Sequence, residues 1–325
     1  MLGKKVCFIA IILLGFSLCA CKYAKESSQD SKINITPEPI SPPLSDTIDA
    51  VFEPEIENKI EIETPSHDKS VLTSIEEVDY SNYFDGLKGC AVFFNSQTNV
   101  YQIYQEALSN QPSSPCSTFK IISALMGLEE GVISSADSKM GYEGTFYTNE
   151  TWNTDLGLKD AFNESCIWYF RKIIDLVGPI KVESYLNQLK YGNCDTSEWY
   201  GSGVNTFLEL NGFWLESSLL ISPKEQVEVL SKIFDNKLEL TEGNIKILKE
   251  IMLAQSTKDT NIYGKTGTGR NIRTNKIDNG WFVGLLEKTD DVYYFAVHLS
   301  DETTEVSGQK AKEIAINIIN EHYVD

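Results

Sequence analysis

Ser117-Thr118-Phe119-Lys120 sets a hydroxyl and an amine three residues apart. On a helix such positions share a face, so the two groups lie side by side. A serine hydroxyl is unreactive at neutral pH and needs a base beside it, and an amine serves only when neutral. At its ordinary pKa a lysine is neutral in about 1 of 2,500 molecules at pH 7, so the surroundings must desolvate Lys120. A second set, Lys265-Thr266-Gly267, stands between Gly264 and Gly269. The lysine offers a cation for a carboxylate, the threonine a hydroxyl, and the glycines leave the backbone open to a ligand. Together these residues describe a serine nucleophile, its base and a cation for an anionic substrate.

The elements that must position them are legible in outline. Residues 89–95 and 99–104 read as two strands joined by a short turn, and Pro115 precedes a helical run from Ser117 to Glu130. Residues 158–177 are mostly helical with an interruption at 163–165, and 179–189 forms a further helix. Ser222-Pro223-Lys224-Glu225 combines an N-cap, a proline at the first helical position and a glutamate three residues after the cap, starting a helix to about Phe234. A helix is expected over 242–255, strands at 262–268, 281–286 and 292–299, and a last helix over 307–322. Strands, then helices, then strands and a helix predict an α/β (α+β, two-lobe) protein. In it an antiparallel sheet flanked by helices takes strands from both ends of the folded part, beside an all-helical lobe. A cleft between the lobes is where a site belongs.

The chain has 325 residues, 42% apolar and 23% charged, enough for one large core or two modest ones. Acids outnumber bases 47 to 28, a formal charge of −19, which argues against nucleic acid as a partner. The 3 histidines (His67, His298, His322) have no metal-ligand spacing, and the 7 cysteines form no C-x-x-C pair, so neither a metal enzyme nor a disulfide scaffold is expected. Residues 1–21 read as an export signal: Lys4 and Lys5, a short apolar stretch, then Leu18-Cys19-Ala20-Cys21, which resembles a bacterial lipobox. Lipidation at Cys21 would anchor an exported body to the outer face of the cell membrane. Residues 22–79 are rich in proline and acid and read as a disordered tether. The folded body is then 80–325.

S-x-x-K followed by K-T-G is the pairing of penicillin-recognising serine enzymes. The body resembles the class D (oxacillinase-type) serine β-lactamases, and the resemblance rests on motifs in the family's order. These are Pro115 to Ile121, Trp152-Asn153-Thr154-Asp155, Ser165 to Phe170, Tyr191-Gly192-Asn193, Phe213-Trp214-Leu215-Glu216, Ile221 to Gln226, Lys265 to Thr268 and Gly280-Trp281-Phe282-Val283-Gly284. The resemblance implies the serine β-lactamase/transpeptidase fold and hydrolysis of β-lactams through an acyl-enzyme on Ser117. It implies that Lys120 is carboxylated by carbon dioxide or bicarbonate and serves as general base, with no other cofactor. Ser165 would relay a proton to the lactam nitrogen, Trp214 would donate its indole N–H to the carbamate, and Lys265 would orient the substrate carboxylate. Thr266, Gly267 and Ile167 would line the substrate, and the backbone N–H groups of Ser117 and Thr268 would form the oxyanion hole.

Two departures stand out. Ile167 replaces the family's usual valine, which should narrow access to Lys120. No arginine follows Arg273, where the family commonly carries one for the substrate carboxylate, so Lys310 or Lys312 is the expected substitute. Two other readings use the same residues: a β-lactam sensor that is acylated but not turned over, and a penicillin-binding transpeptidase.

Overall fold

The computed structural model describes residues 73–324 apart from Val204, Ile272 and Asp290. In chain order its elements are β1 (Ser74–Glu77), α1 (Ser81–Phe84), β2 (Gly89–Asn95), β3 (Val100–Tyr104), α2 (Glu106–Ser109) and α3 (Lys120–Glu129). There follow α4 (Leu158–Asn163), α5 (Ile167–Val177), α6 (Pro179–Leu189), α7 (Pro223–Phe234) and α8 (Glu242–Met252). The chain closes with β4 (Leu253–Ser256), β5 (Asn261–Arg270), β6 (Ile277–Glu287), β7 (Val292–Leu299) and α9 (Gly308–His322).

The strands form one sheet of 7 in the order β1-β3-β2-β7-β6-β5-β4. β2 is buried along its whole length, and its near-continuous apolar run is that of a strand covered on both faces. Period two then divides the core. Val92, Phe94, Val283, Leu285, Tyr294 and Ala296 face the helical lobe, where they join α3, α5, α6 and α7. Ala91, Phe93, Phe282, Leu286, Phe295 and Val297 face the other way, onto α1 and α9. The capping box read from the sequence is present: Ser222 Oγ accepts from the Glu225 N–H at 3.3 Å, and the Glu225 carboxylate accepts from the Ser222 N–H at 2.8 Å.

Three expectations need correction. The sheet is mixed, because β1 pairs parallel to β3 while every other pair is antiparallel. β1 also lies inside the stretch read as tether, so order begins by Ser74 rather than Tyr80. The exposed, acidic Ser-Ile-Glu-Glu has no burial signal, and its order comes from backbone bonds to β3. The helix expected to reach Gln255 stops at Met252, where Leu253–Ser256 pairs with the otherwise open edge of β5. Strand addition at an edge depends on a distant partner and leaves no local periodicity. The leader, Cys21 and the tether to residue 72 lie outside the described residues.

Candidate active site

The turn that carries Ser117 is built by a 3₁₀ helix, Cys116–Phe119, that runs directly into α3. Cys116 sits at φ 49°, a left-handed conformation costly for a side-chain-bearing residue, immediately before Ser117. Ser117 Oγ and Lys120 Nζ are 2.8 Å apart. Lys120 is fully buried (0% exposed), with Nζ 5.7 Å from the centre of the Phe170 ring. Burial, aided by the neighbouring Lys265 cation, brings its pKa down to about 7. About half the molecules at pH 7 then carry the neutral amine, against the 1 in 2,500 of free lysine. The flanking thiols do not compete as nucleophiles: burial pushes Cys166 up to about 12 and Cys116 well above its ordinary value.

β5 supplies the opposite wall. Lys265 and Gly267 lie on the strand face that meets the helical lobe, and Gly267 is a close-approach glycine. A Cβ there would stand 2.9 Å from the Pro115 carbonyl oxygen, so only glycine lets β5 reach the nucleophile turn. Lys265 is buried (4% exposed), and desolvation and then Lys312 lower its pKa to about 8. Thr266 and Thr268 point to the other face. Thr268 Oγ1 accepts from the Gly308 N–H at 2.9 Å, which fastens β5 to the start of α9.

Behind the turn runs a polar network that the sequence did not disclose. Glu216 Oε1 accepts from Asn279 Nδ2 at 2.9 Å and from the Cys116 thiol at 3.2 Å. Asn279 Nδ2 also donates to the Ser114 carbonyl at 3.0 Å, and Asn279 Oδ1 is 3.0 Å from His298 Nε2. His298 stacks on Trp281 at 3.7 Å, and burial lowers its pKa to about 3. The Trp281 indole N–H donates to the same Ser114 carbonyl at 2.9 Å. Gly269 belongs to this arrangement, because a Cβ there would fall 1.5 Å from Glu216 Oε1.

Two cavities adjoin residues of this region. The larger, about 450 Å³, is lined by Cys116, Ile167, Leu215, Glu216, Thr268 and Arg270 among others. The smaller, about 220 Å³, is lined by Phe162, Lys265, Thr266 and Lys312. Lys312 therefore stands with Lys265 and Thr266, whereas Lys310 pairs with Glu313 at 3.3 Å on the surface.

Thus Ser117, Lys120, Lys265 and Gly267 meet at the turn, Thr268 and Ile167 line the larger cavity with Cys116, and Thr266 lines the smaller one with its Oγ1 3.5 Å from Lys265 Nζ. Ser165 is half-buried at φ 56° in the turn between α4 and α5, and no hydrogen bond joins its hydroxyl to Ser117 or Lys120 among the described residues. Trp214 is fully buried, stacked 5.5 Å from Phe119, and its indole N–H has no partner among the described residues. Glu216 closes the Phe213–Glu216 motif, which names it without its contacts, whereas Asn279 and Arg171 carry no motif and are recognisable only by their contacts.

The penicillin binding protein transpeptidase domain family matches residues 81–320. The regulatory protein BlaR1 of Bacillus licheniformis is 36% identical over 250 residues, which cover 76% of this chain and 39% of that protein. The chain thus spans about two-fifths of that relative's length. The probable β-lactamase YbxI of Bacillus subtilis is 32% identical over 257 residues, covering 79% of this chain and 88% of that one. The solved C-terminal domain of the Bacillus licheniformis BlaR penicillin-receptor superposes with a TM-score of 0.69 at 35% identity, covering 78% of this chain and 98% of that one. A match over that span, on a sheet and helical lobe so arranged, places the chain in the penicillin-binding protein transpeptidase family.

Proposed function

We propose that Ser117 is acylated by β-lactam antibiotics and that water then releases the acyl group, making the domain a class D-type β-lactamase. The observation that carries this reading is a fully buried Lys120 with its amine 2.8 Å from Ser117 Oγ and its pKa near 7. The neutral amine is the form that takes up carbon dioxide, and the resulting carbamate takes the Ser117 proton as Oγ attacks the lactam carbonyl. The lactam C–N bond opens, and its nitrogen takes a proton by way of Ser165. Lys265 and Thr266 hold the substrate carboxylate, with Lys312 as a further cation.

The unpartnered indole N–H of buried Trp214 fits a carboxylated Lys120, since a donor left orphaned in an apolar interior is costly and calls for an acceptor. Carbon dioxide on the Lys120 amine would supply an anionic general base for acylation and deacylation.

The likeness to a BlaR1 regulatory protein favours a second reading, a receptor that keeps its acyl group. Hydrolysis of a chromogenic cephalosporin by the purified chain, with and without bicarbonate, separates the two. Many turnovers per site support the enzyme, a single stoichiometric burst supports the receptor, and neither burst nor turnover overturns both.

We also propose that Cys21 carries a lipid that anchors the exported chain to the outer face of the cell membrane. The Lys4-Lys5 start, the short apolar stretch and the lipobox-like ending support it. Cys21→Ala should move the protein from the membrane pellet to the soluble fraction; a variant that still pellets would sink the anchor.

A further inference from the structure

Arg171 is a guanidinium only 2% exposed, and no step above uses it. Burying a charge is unfavourable unless its partners are good. Here Nε donates to Asp175 Oδ2 at 3.0 Å, Nη2 donates to Asp175 Oδ1, and Nη1 donates to the Trp199 carbonyl at 2.6 Å. The guanidinium carbon lies 5.0 Å from the Trp199 ring, 5.0 Å from that of Tyr200 and 5.7 Å from that of Trp214. The Trp199 indole N–H donates to Asp175 Oδ1 at 3.2 Å, closing the set.

These contacts fasten α5 to a stretch of chain, 199–214, whose regular structure among the described residues is a 3₁₀ turn at Leu208–Leu210. That stretch ends in Trp214. α5 therefore meets the site at two successive residues: Phe170 lies beside the Lys120 amine, and Arg171 beside the Trp214 indole. A cation at an aromatic ring draws electron density from it and makes an indole N–H a stronger donor. The same N–H is without a hydrogen-bond partner among the described residues.

We propose that Arg171 is a positioning residue that acts through Trp214 on Lys120, fixing the indole and strengthening its N–H so that the carboxylated form of Lys120 is favoured. The inference rests on the reading of Lys120 as a carboxylated base. It assigns to one buried cation the order of the 199–214 stretch and the readiness of the base.

The test is ¹³C NMR of the purified chain titrated with ¹³C-bicarbonate, read as the carbonyl signal of a carboxylated lysine, beside labelling by a fluorescent penicillin. Arg171→Met should require about 10-fold more bicarbonate for half the signal, and saturating bicarbonate should restore its labelling rate. Arg171→Lys, which keeps the charge without the fork, should fall between. Trp214→Phe should show the larger loss, and adding Arg171→Met to it should change the half-saturation little further, because both act through one donor. Should Arg171→Met fail to fold, Arg171→Lys made with and without Trp214→Phe carries the same comparison. Half-saturation unchanged from wild type, with only a lower melting temperature, would overturn the inference and leave Arg171 a structural fastener. A wild type that is labelled by penicillin but shows no ¹³C signal would overturn the carboxylated-lysine reading and this inference with it. A wild type that shows the signal but is never labelled would leave the inference standing and overturn the acylation reading.

Discussion

On the helical side of Ser117, Lys120 and Trp214 are buried with bonding capacity to spare: one amine near its neutral point, one N–H with no acceptor among the described residues. On the strand side, Asn279, His298 and Trp281 are buried too and Glu216 is half-buried, but they hydrogen-bond or stack on one another and on the Ser114 carbonyl. Both sides meet at Cys116–Lys120. The difference separates two uses of burial. Desolvation without partners raises reactivity, because it disfavours the charged amine and leaves a donor ready. Desolvation with partners fixes geometry, because each broken bond leaves another buried group unpaired. The left-handed Cys116 is held from the satisfied side, and the proposed proton transfer draws on the unsatisfied one.

Removal of the nucleophile should have the largest effect. Ser117→Ala should abolish fluorescent-penicillin labelling and lower any turnover about 10⁴-fold or more, and retained labelling would move the nucleophile elsewhere. Next comes Lys120→Met, expected to cost about 10²–10⁴-fold in acylation. It also tests the sign of the burial argument. The folded-state pKa of Lys120 is about 7, below the ordinary 10.5, so between those values the unfolded chain binds more protons and wild-type stability rises with pH. Below pH 7 the penalty is fully present. Lys120→Met should therefore melt above wild type at pH 6, with the gap closing toward pH 10; a gap independent of pH would refute the desolvated amine.

The satisfied side should respond differently. Asn279→Ala should cost about 1–3 kcal/mol of stability, seen as a melting temperature lower by several degrees. The pH midpoint of acylation should stay where it is, and a moved midpoint without lost stability would dissolve the distinction between the two sides. His298 titrates near 3 when folded against 6.5 in the open chain, so wild-type stability should fall as pH drops through that window, and His298→Gln should flatten the fall. The smallest effect sharpens the choice between two surface cations: Lys312→Ala should raise KM for a penicillin a few-fold, and Lys310→Ala should leave it unchanged.

What a local reading of the chain reaches is set by interaction range. S-x-x-K, the Ser222 capping box and the apolar runs of β2 and β7 act over a few residues, so spacing alone determined the pairing of Ser117 with Lys120 and the start of α7. The family motifs extended this to Lys265, Trp214 and Ile167 without showing what each touches. The tertiary structure decided the rest. Ser74–Glu77 and Leu253–Ser256 became strands because β3 and β5 offered open edges, which no local pattern records. Lys120 is merely a lysine until Phe170, Lys265 and the buried Cys116 and Cys166 stand around it. Glu216, Asn279 and His298 become one network only when β6 and β7 bring their residues behind Cys116, and Lys312 is told from Lys310 only by the face of α9 that meets β5. Hydrogen bonds and helix faces within a turn are written in consecutive residues, but desolvation is a property of everything packed around a group, and it exists only once the chain has folded.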